Sequence, residues 1–351
     1  MFWPEKISEK LNIQYPVIQA PMFGVSTPEM VAAANGASCL GSLAIADLSG
    51  DSSVQLIRET KKLTALPFAV NIFVHKIPEM TDALKEQYVK TKKFLEDFAG
   101  KNEIEVRLPN LNEIKVNSYH EQIDAVIEEQ CRIVSFTFGN IDDKSIQKLK
   151  ENGIVLIGTC TSVEEAVQLE KSGIDLICVQ GIEAGGHRGS FEVENIPQIG
   201  GFSLLSQVYD SVNIPLIYAG GIYNARTIRA AKDLGAEGFQ VGSILLASQE
   251  SALQDFEKER LENVREKDIV LTKSFSGRYA RGIKNTFIET LENSAYILPY
   301  PYQNKLTGAL RKAARNNKNA DFVNLWLGQS IHQYSKSSAE EILRDLIRSC
   351  E

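Results

Sequence analysis

The sequence predicts an α/β protein of the (β/α)8 TIM-barrel class with a small, mainly helical second domain. Three observations lead there: eight short runs rich in Val, Ile and Leu recur along the chain, stretches of helical period separate them, and the 351 residues exceed what such a barrel needs. A doubly wound open sheet is the alternative. It usually has fewer strands, and no glycine-rich fingerprint follows the first strand here.

The strand candidates are PVIQA (16–20), SCLGSLAIA (38–46), FAVNIFV (68–74), RIVSFTFG (132–139), IVLIGTC (154–160), DLICVQG (175–181), PLIYAGG (215–221) and GFQVGS (238–243). Continuous apolar runs of this length suit strands buried on both faces. Between them, TPEMVAAANG (27–36) offers Thr27 as a cap, Pro28 and Glu29 in the first turn, and Gly36 as a stop. TSVEEAVQLEKSG (161–173) and NARTIRAAKDLGA (224–236) repeat that grammar. Two stretches depart from it. Residues 77–130 mix charges evenly and read as a surface insertion in a barrel spanning 1–249, and residues 250–319 read as a small cap or substrate domain. Residues 320–351 are expected to return to the barrel as helices, Ser338 capping the last one.

Composition excludes several classes. With 43% apolar and 24% charged residues the chain is neither disordered nor fibrous, and a net charge of −7 argues against binding a phosphate backbone. The five cysteines are far apart without a C-x-x-C pair, which fits reduced thiols rather than disulfides or zinc. The segment MFWPEKISEK lacks the apolar run of a signal peptide, and no run of 18 apolar residues occurs, so a cytoplasmic protein without membrane partners is expected.

Chemistry in a barrel of this kind sits at the C-terminal ends of the strands. Gly220-Gly221 and Gly242-Ser243 close the last two strands, and such turns let backbone N–H groups hold a phosphate; tight strand-to-helix turns are the alternative. After the sixth strand, Gly185, Gly186 and Gly189 surround His187 and Arg188, presenting one imidazole as a general acid, base or anion partner. No cluster of metal-ligand spacing appears, so no metal is expected. The amides Gln19, Asn71, Gln180 and Gln240, with Thr159 and Ser135 as weaker candidates, suit either an isoalloxazine ring or hydrogen bonding inside the barrel.

QAPMFG (19–24), VNIFVH (70–75), CVQGIEAGGHRGSF (178–191), PLIYAGGI (215–222) and GFQVGSILLASQES (238–251) resemble the nitronate monooxygenases, formerly 2-nitropropane dioxygenases. FSGRYARGIKNTF (275–287), YPYQNKLT (300–307) and DFVNLWLGQS (321–330) continue the likeness and point to class I. The resemblance implies an FMN-bearing barrel with a small domain over the site, FMN contacts at Met22, Asn71, Gln180, Gly185, Gly221, Gln240, Val241, Gly242 and Ser243, and His187 as the active-site histidine. It implies oxidation of an alkyl nitronate, propionate 3-nitronate by family, with dioxygen to a carbonyl compound plus nitrite and nitrate. His187 would stabilise the nitronate and act as base toward a neutral nitroalkane. Tyr300, Tyr302 and Lys305 are candidates for holding a carboxylate, or else cap packing and surface. Tyr218 and Ser243 stand where relatives often have Ala and Thr. The expected partners are an anionic nitronate and dioxygen, with a homodimer left open.

FMN-dependent enoyl-acyl-carrier-protein reductases look similar through EAGGH and AGGI and are the alternative activity. A barrel that binds FMN without catalysis, as a sensor or assembly module, is the alternative class. An acidic chain that attracts a small anion needs local positive potential, so Arg188 or basic residues of the cap are expected to face the site.

Overall fold

The computed structural model describes residues 2–331 and 334–351. Its eight barrel strands are β1 (Val17–Gln19), β2 (Ser42–Ala46), β3 (Ala69–Phe73), β4 (Ile133–Thr137), β5 (Val155–Cys160), β6 (Leu176–Gln180), β8 (Leu216–Ala219) and β9 (Gly238–Val241). All pair in parallel, in the order β1-β9-β8-β6-β5-β4-β3-β2, and a bridge between Ile18 and Leu40 joins the two ends. The barrel expectation therefore holds. The run at 38–46 yields a strand only from Ser42: Ser38 takes a left-handed conformation (φ 61°), and Leu40 pairs with Ile18 as an isolated bridge. Ile18, Leu40, Ala69, Ile133, Leu176 and Ile217 fill the barrel interior, with Ile7 and Leu11 of the first helix packed among them.

Local signals place the outer helices. Thr27 accepts from the N–H of Met30 at 3.1 Å, Asn224 from Thr227 at 3.1 Å and Ser338 from Glu341 at 3.1 Å, each satisfying a first-turn donor. The helix Ala339–Arg348 then packs against Pro28–Gly36 in the barrel's outer layer. Among the described residues of 320–338 there is no second long helix: after the single turn Ala320–Phe322, residues 323–328 run extended. Leu325 and Leu327 are buried while Trp326 between them reaches the cavity described below, which is the alternation of a strand.

A second sheet lies over the barrel. It joins β7 (Gly186–His187), β10 (Ile269–Thr272) and β11 (Ala280–Ile283) in the antiparallel order β10-β11-β7. Beneath and around it sits a separate apolar core containing Phe275, Phe287, Leu306 and Phe322. The stretch expected as a solvated insertion joins this core: on the helix Asp82–Lys101, Leu84, Tyr88, Leu95 and Ala99 are buried in it, followed by Ile104 and Leu108. The four on the helix recur every four or seven positions among the charges, one narrow stripe of an amphipathic helix. The rest of the stretch includes the helix Tyr119–Glu128, which packs on the barrel helix Gly50–Leu63. Among the described residues no helix is long and apolar enough to cross a membrane.

Leu95→Ala is expected to destabilise the protein by about 2–5 kcal/mol. Exposed Val89→Ala, on the same helix, should stay within roughly 0.5 kcal/mol. Equilibrium denaturation of both variants checks the assignment: equal small effects would mean that the helix is the solvated insertion after all.

Candidate active site

A cavity opens at the C-terminal ends of the barrel strands and is roofed by the second sheet and by the helix Tyr302–Asn316. His187 is held there from two sides. Its own backbone is paired with Ala280 in β11, and the N–H of Arg188 donates to Tyr279 O at 2.8 Å. Extended residues 325–327 continue along the same edge of β11 beyond its pairing with β7, Ile283 N donating to Leu325 O at 2.9 Å and Leu327 N to Arg281 O at 3.1 Å. Gly328 N reaches the Ser243 hydroxyl at 3.1 Å. Gly185 passes so close to this segment that a Cβ on it would lie 2.5 Å from Gly328 N, so only glycine fits.

The imidazole Nε2 lies 2.8 Å from Ser276 Oγ, and that hydroxyl donates to Arg278 O at 3.0 Å. A serine has one hydrogen to give, so the ring is the donor at Nε2 and Nδ1 carries the lone pair. Desolvation, with Arg278 and Arg311 adding to it, pushes the His187 pKa down from 6.5 to about 3. The ring is therefore neutral at physiological pH. Burial likewise lowers His75, next to Tyr300, to about 4.

The sequence candidates divide by position. Met22, Asn71, Gln180, Gly185, His187, Gly221, Gln240, Gly242 and Ser243 line the one cavity, with Ser135 and Thr159. Asn71 is oriented by donating to Ser135 Oγ at 3.0 Å. Gln180 ties the end of β6 to the histidine loop, donating to His187 O at 3.1 Å and accepting from Gly189 N at 2.8 Å. Gly220 and Gly221, with φ 117° and 69°, turn main chain toward the same space.

Val241 does not line the cavity: its side chain packs in the strand–helix layer, and its carbonyl accepts from Ala20 N at 2.8 Å. Gln19 is buried in the barrel seam, accepting from Ser42 N at 2.8 Å. Tyr218 faces the outer layer and donates to Glu183 at 2.5 Å, and it does not line the cavity.

The proposed carboxylate holders are placed elsewhere too. Lys305 is paired with Asp47 at 2.7 Å, Tyr302 donates to Pro78 O at 3.3 Å, and Tyr300 is buried behind the wall, its ring 6.4 Å from that of His187. Arg188 turns away from the cavity, to the carbonyls of Gln180, Thr161 and Pro197. The basic side chain that does line it is Arg311, which sequence reasoning had not singled out, along with Asn304, Asn324 and Trp326. One signal was available: Asn304 and Arg311 are seven apart, which puts them on one face of a helix.

A family profile described as nitronate monooxygenase matches residues 5–349. A probable nitronate monooxygenase from Staphylococcus saprophyticus subsp. saprophyticus is 40% identical over 347 residues, 98% of this chain and 96% of the relative. One from Staphylococcus aureus is 37% identical over 350 residues, 99% and 97% of the two chains. Among solved structures, a nitroalkane oxidase from Streptomyces ansochromogenes aligns with a TM-score of 0.88 at 32% identity, covering 98% of this chain and 97% of that one. FabK from Thermotoga maritima aligns at 0.76 and 26% identity, covering 98% and 95%.

The depressed pKa of His187 has a stability consequence. Between pH 3 and 6.5 the unfolded chain binds a proton at this ring that the folded chain does not, so stability falls as pH drops through that window, by at most about 1.4 kcal/mol per pH unit. His187→Gln should flatten the pH dependence of unfolding between about pH 4 and 6.5. An unchanged slope would show that the ring is not desolvated.

Proposed function

The chain belongs to the nitronate monooxygenase family, and from that premise we propose that it oxidises alkyl nitronates, propionate 3-nitronate foremost, using FMN and dioxygen to give a carbonyl compound with nitrite and nitrate. The observation that carries this reading is the convergence, in one cavity at the strand ends, of a neutral histidine, oriented amides and a glycine-rich main-chain wall. The residues present suit FMN. Main chain at Gly221 and Gly242 with the Ser243 hydroxyl would receive its phosphate, and Asn71, Gln180 and Gln240 would face the donors and acceptors of its ring. When bound, FMN supplies the one-electron acceptor for the nitronate and the path to dioxygen.

The protein's part is binding and proton control. A nitronate is already an anion, so its oxidation needs no proton abstraction. Neutral His187 brings no charge of its own, which shifts the attraction of the anion to the arginines around it. An anion seated beside the ring would raise the ring's pKa again, coupling protonation of His187 to binding. Toward a neutral nitroalkane the Nδ1 lone pair is the available base, oriented by the Nε2 bond to Ser276. FabK-type enoyl reduction is the second reading, supported by the lower likeness to that structure.

The purified protein should show flavin absorbance and release FMN on denaturation. Adding propionate 3-nitronate in an oxygen electrode should consume oxygen and liberate nitrite, while anaerobic NADPH should leave the flavin oxidised. Bleaching by NADPH without nitronate turnover would favour the reductase, and absence of flavin would remove both readings. His187→Asn should lose turnover of the neutral nitroalkane by about 100-fold or more, while keeping more of its nitronate turnover.

A further inference from the structure

Of the described residues that line the cavity, Arg311 is the one that carries a formal charge once His187 is neutral; no Asp, Glu or Lys is among them. It projects from the helix Tyr302–Asn316, on the cap side, where the main cavity adjoins a second chamber. Neutral amides fix its guanidinium. Nη1 donates to Asn324 Oδ1 at 3.1 Å, and Nη2 donates to both the carbonyl and Oδ1 of Asn304 at 2.8 Å. Nε is buried without a partner among the described residues, and Nη1 keeps a second N–H.

Three other basic groups of this region are already compensated. Arg315, one turn on, is paired with Glu257 at 2.8 Å, and Lys305 with Asp47 at 2.7 Å. Arg278 donates to the carbonyls of Ser190 and Glu192 and stacks over the Phe138 ring at 4.2 Å. Among the described residues no carboxylate lies within 4.0 Å of Arg311. A desolvated cation without a counter-ion is costly to hold, and burial does depress its pKa to about 10, which still leaves it charged at neutral pH. Such an arrangement fits a site whose counter-ion arrives with the ligand.

We propose that Arg311 anchors a carboxylate at the end of the substrate remote from the nitronate carbon, so that the enzyme selects nitronates bearing an ω-carboxylate over those with an alkyl tail. The proposal rests on the nitronate reading above. The lining comes from three elements: the strand-end glycines belong to the barrel, His187 to the edge of the sheet that roofs the cavity, and Arg311, Asn304 and Asn324 to the neighbouring cap segments. A short dianion seated in this cavity would place its carboxylate at the Arg311 guanidinium and its nitronate beside His187. The assignment passes to Arg311 the carboxylate role that the sequence suggested for Lys305.

The test compares propionate 3-nitronate with propyl-1-nitronate in wild type, Arg311→Gln and Arg311→Lys. Wild type should favour the carboxylated substrate in kcat/KM, and Arg311→Gln should lower the ratio of the two kcat/KM values by at least about 30-fold, mainly through KM. Arg311→Lys should restore part of it. Succinate, in which a second carboxylate replaces the nitronate group, gives a readout apart from turnover. Its dissociation constant, followed by the fluorescence of the cavity residue Trp326, should rise by a similar factor in Arg311→Gln. Bound flavin and an unchanged circular dichroism spectrum in each variant report that it is folded. If wild type oxidises neither nitronate, the functional reading fails. If it oxidises both and Arg311→Gln leaves their ratio and succinate affinity unchanged, the anchor is wrong while the functional reading stands.

Discussion

Two residue pairs of backbone, Gly186–His187 against Ala280–Arg281, carry much of the organisation of this protein. Through them the loop after β6 becomes an edge strand of the cap's sheet, so a barrel residue and the cap hold one another in register. A strand pairing fixes which way each side chain points, because a one-residue slip would turn every side chain to the other face. The consequence at the site is that His187 meets Ser276, Phe138 and Trp326 from three different segments of the chain. A loop of three glycines would otherwise leave the imidazole free to wander.

The same junction explains why so many arginines are buried in an acidic protein. Arg188, Arg278 and Arg281 all donate to backbone carbonyls between Thr161 and Pro197, filling acceptors that an irregular loop leaves unpaired. Glu165, buried beside them, accepts from Thr161, Ser190 and the Phe191 N–H and balances part of that charge. Desolvation keeps the His187 ring neutral, and Arg278, which does not touch it, adds to the effect. Arg311, held by Asn304 and Asn324 instead of by an acid, adds the charge that reaches the cavity.

The strands, the capped helices and most of the cavity-lining candidates were legible in the sequence because each rests on local grammar. Thr27, Asn224 and Ser338 cap helices as their neighbours dictate, and the glycines at 220–221 and 242 mark strand ends wherever the chain goes next. Local grammar leaves two readings where the deciding partner is distant in sequence. The helix Asp82–Lys101 is charged on most of its surface, and nothing local says that Leu84, Tyr88 and Leu95 will meet Phe287 and Phe322 some two hundred residues later. Around Trp326 the alternating Leu325 and Leu327 signal a strand, but its partner β11 is more than forty residues away.

By itself, the sequence determined the barrel, the family and the set of residues at the strand ends, since periodicity, caps and motif blocks are properties of neighbouring residues. Tertiary structure decided the charges. Whether a lysine or arginine faces a ligand depends on which acid or carbonyl the fold brings to it, and Lys305 found Asp47, Arg315 found Glu257 and Arg188 found three carbonyls. Arg311 met only neutral amides. Its role as the charged wall of the cavity is therefore a result of what the other basic residues were given as partners, and no reading of residue 311 in its own stretch of chain could supply that.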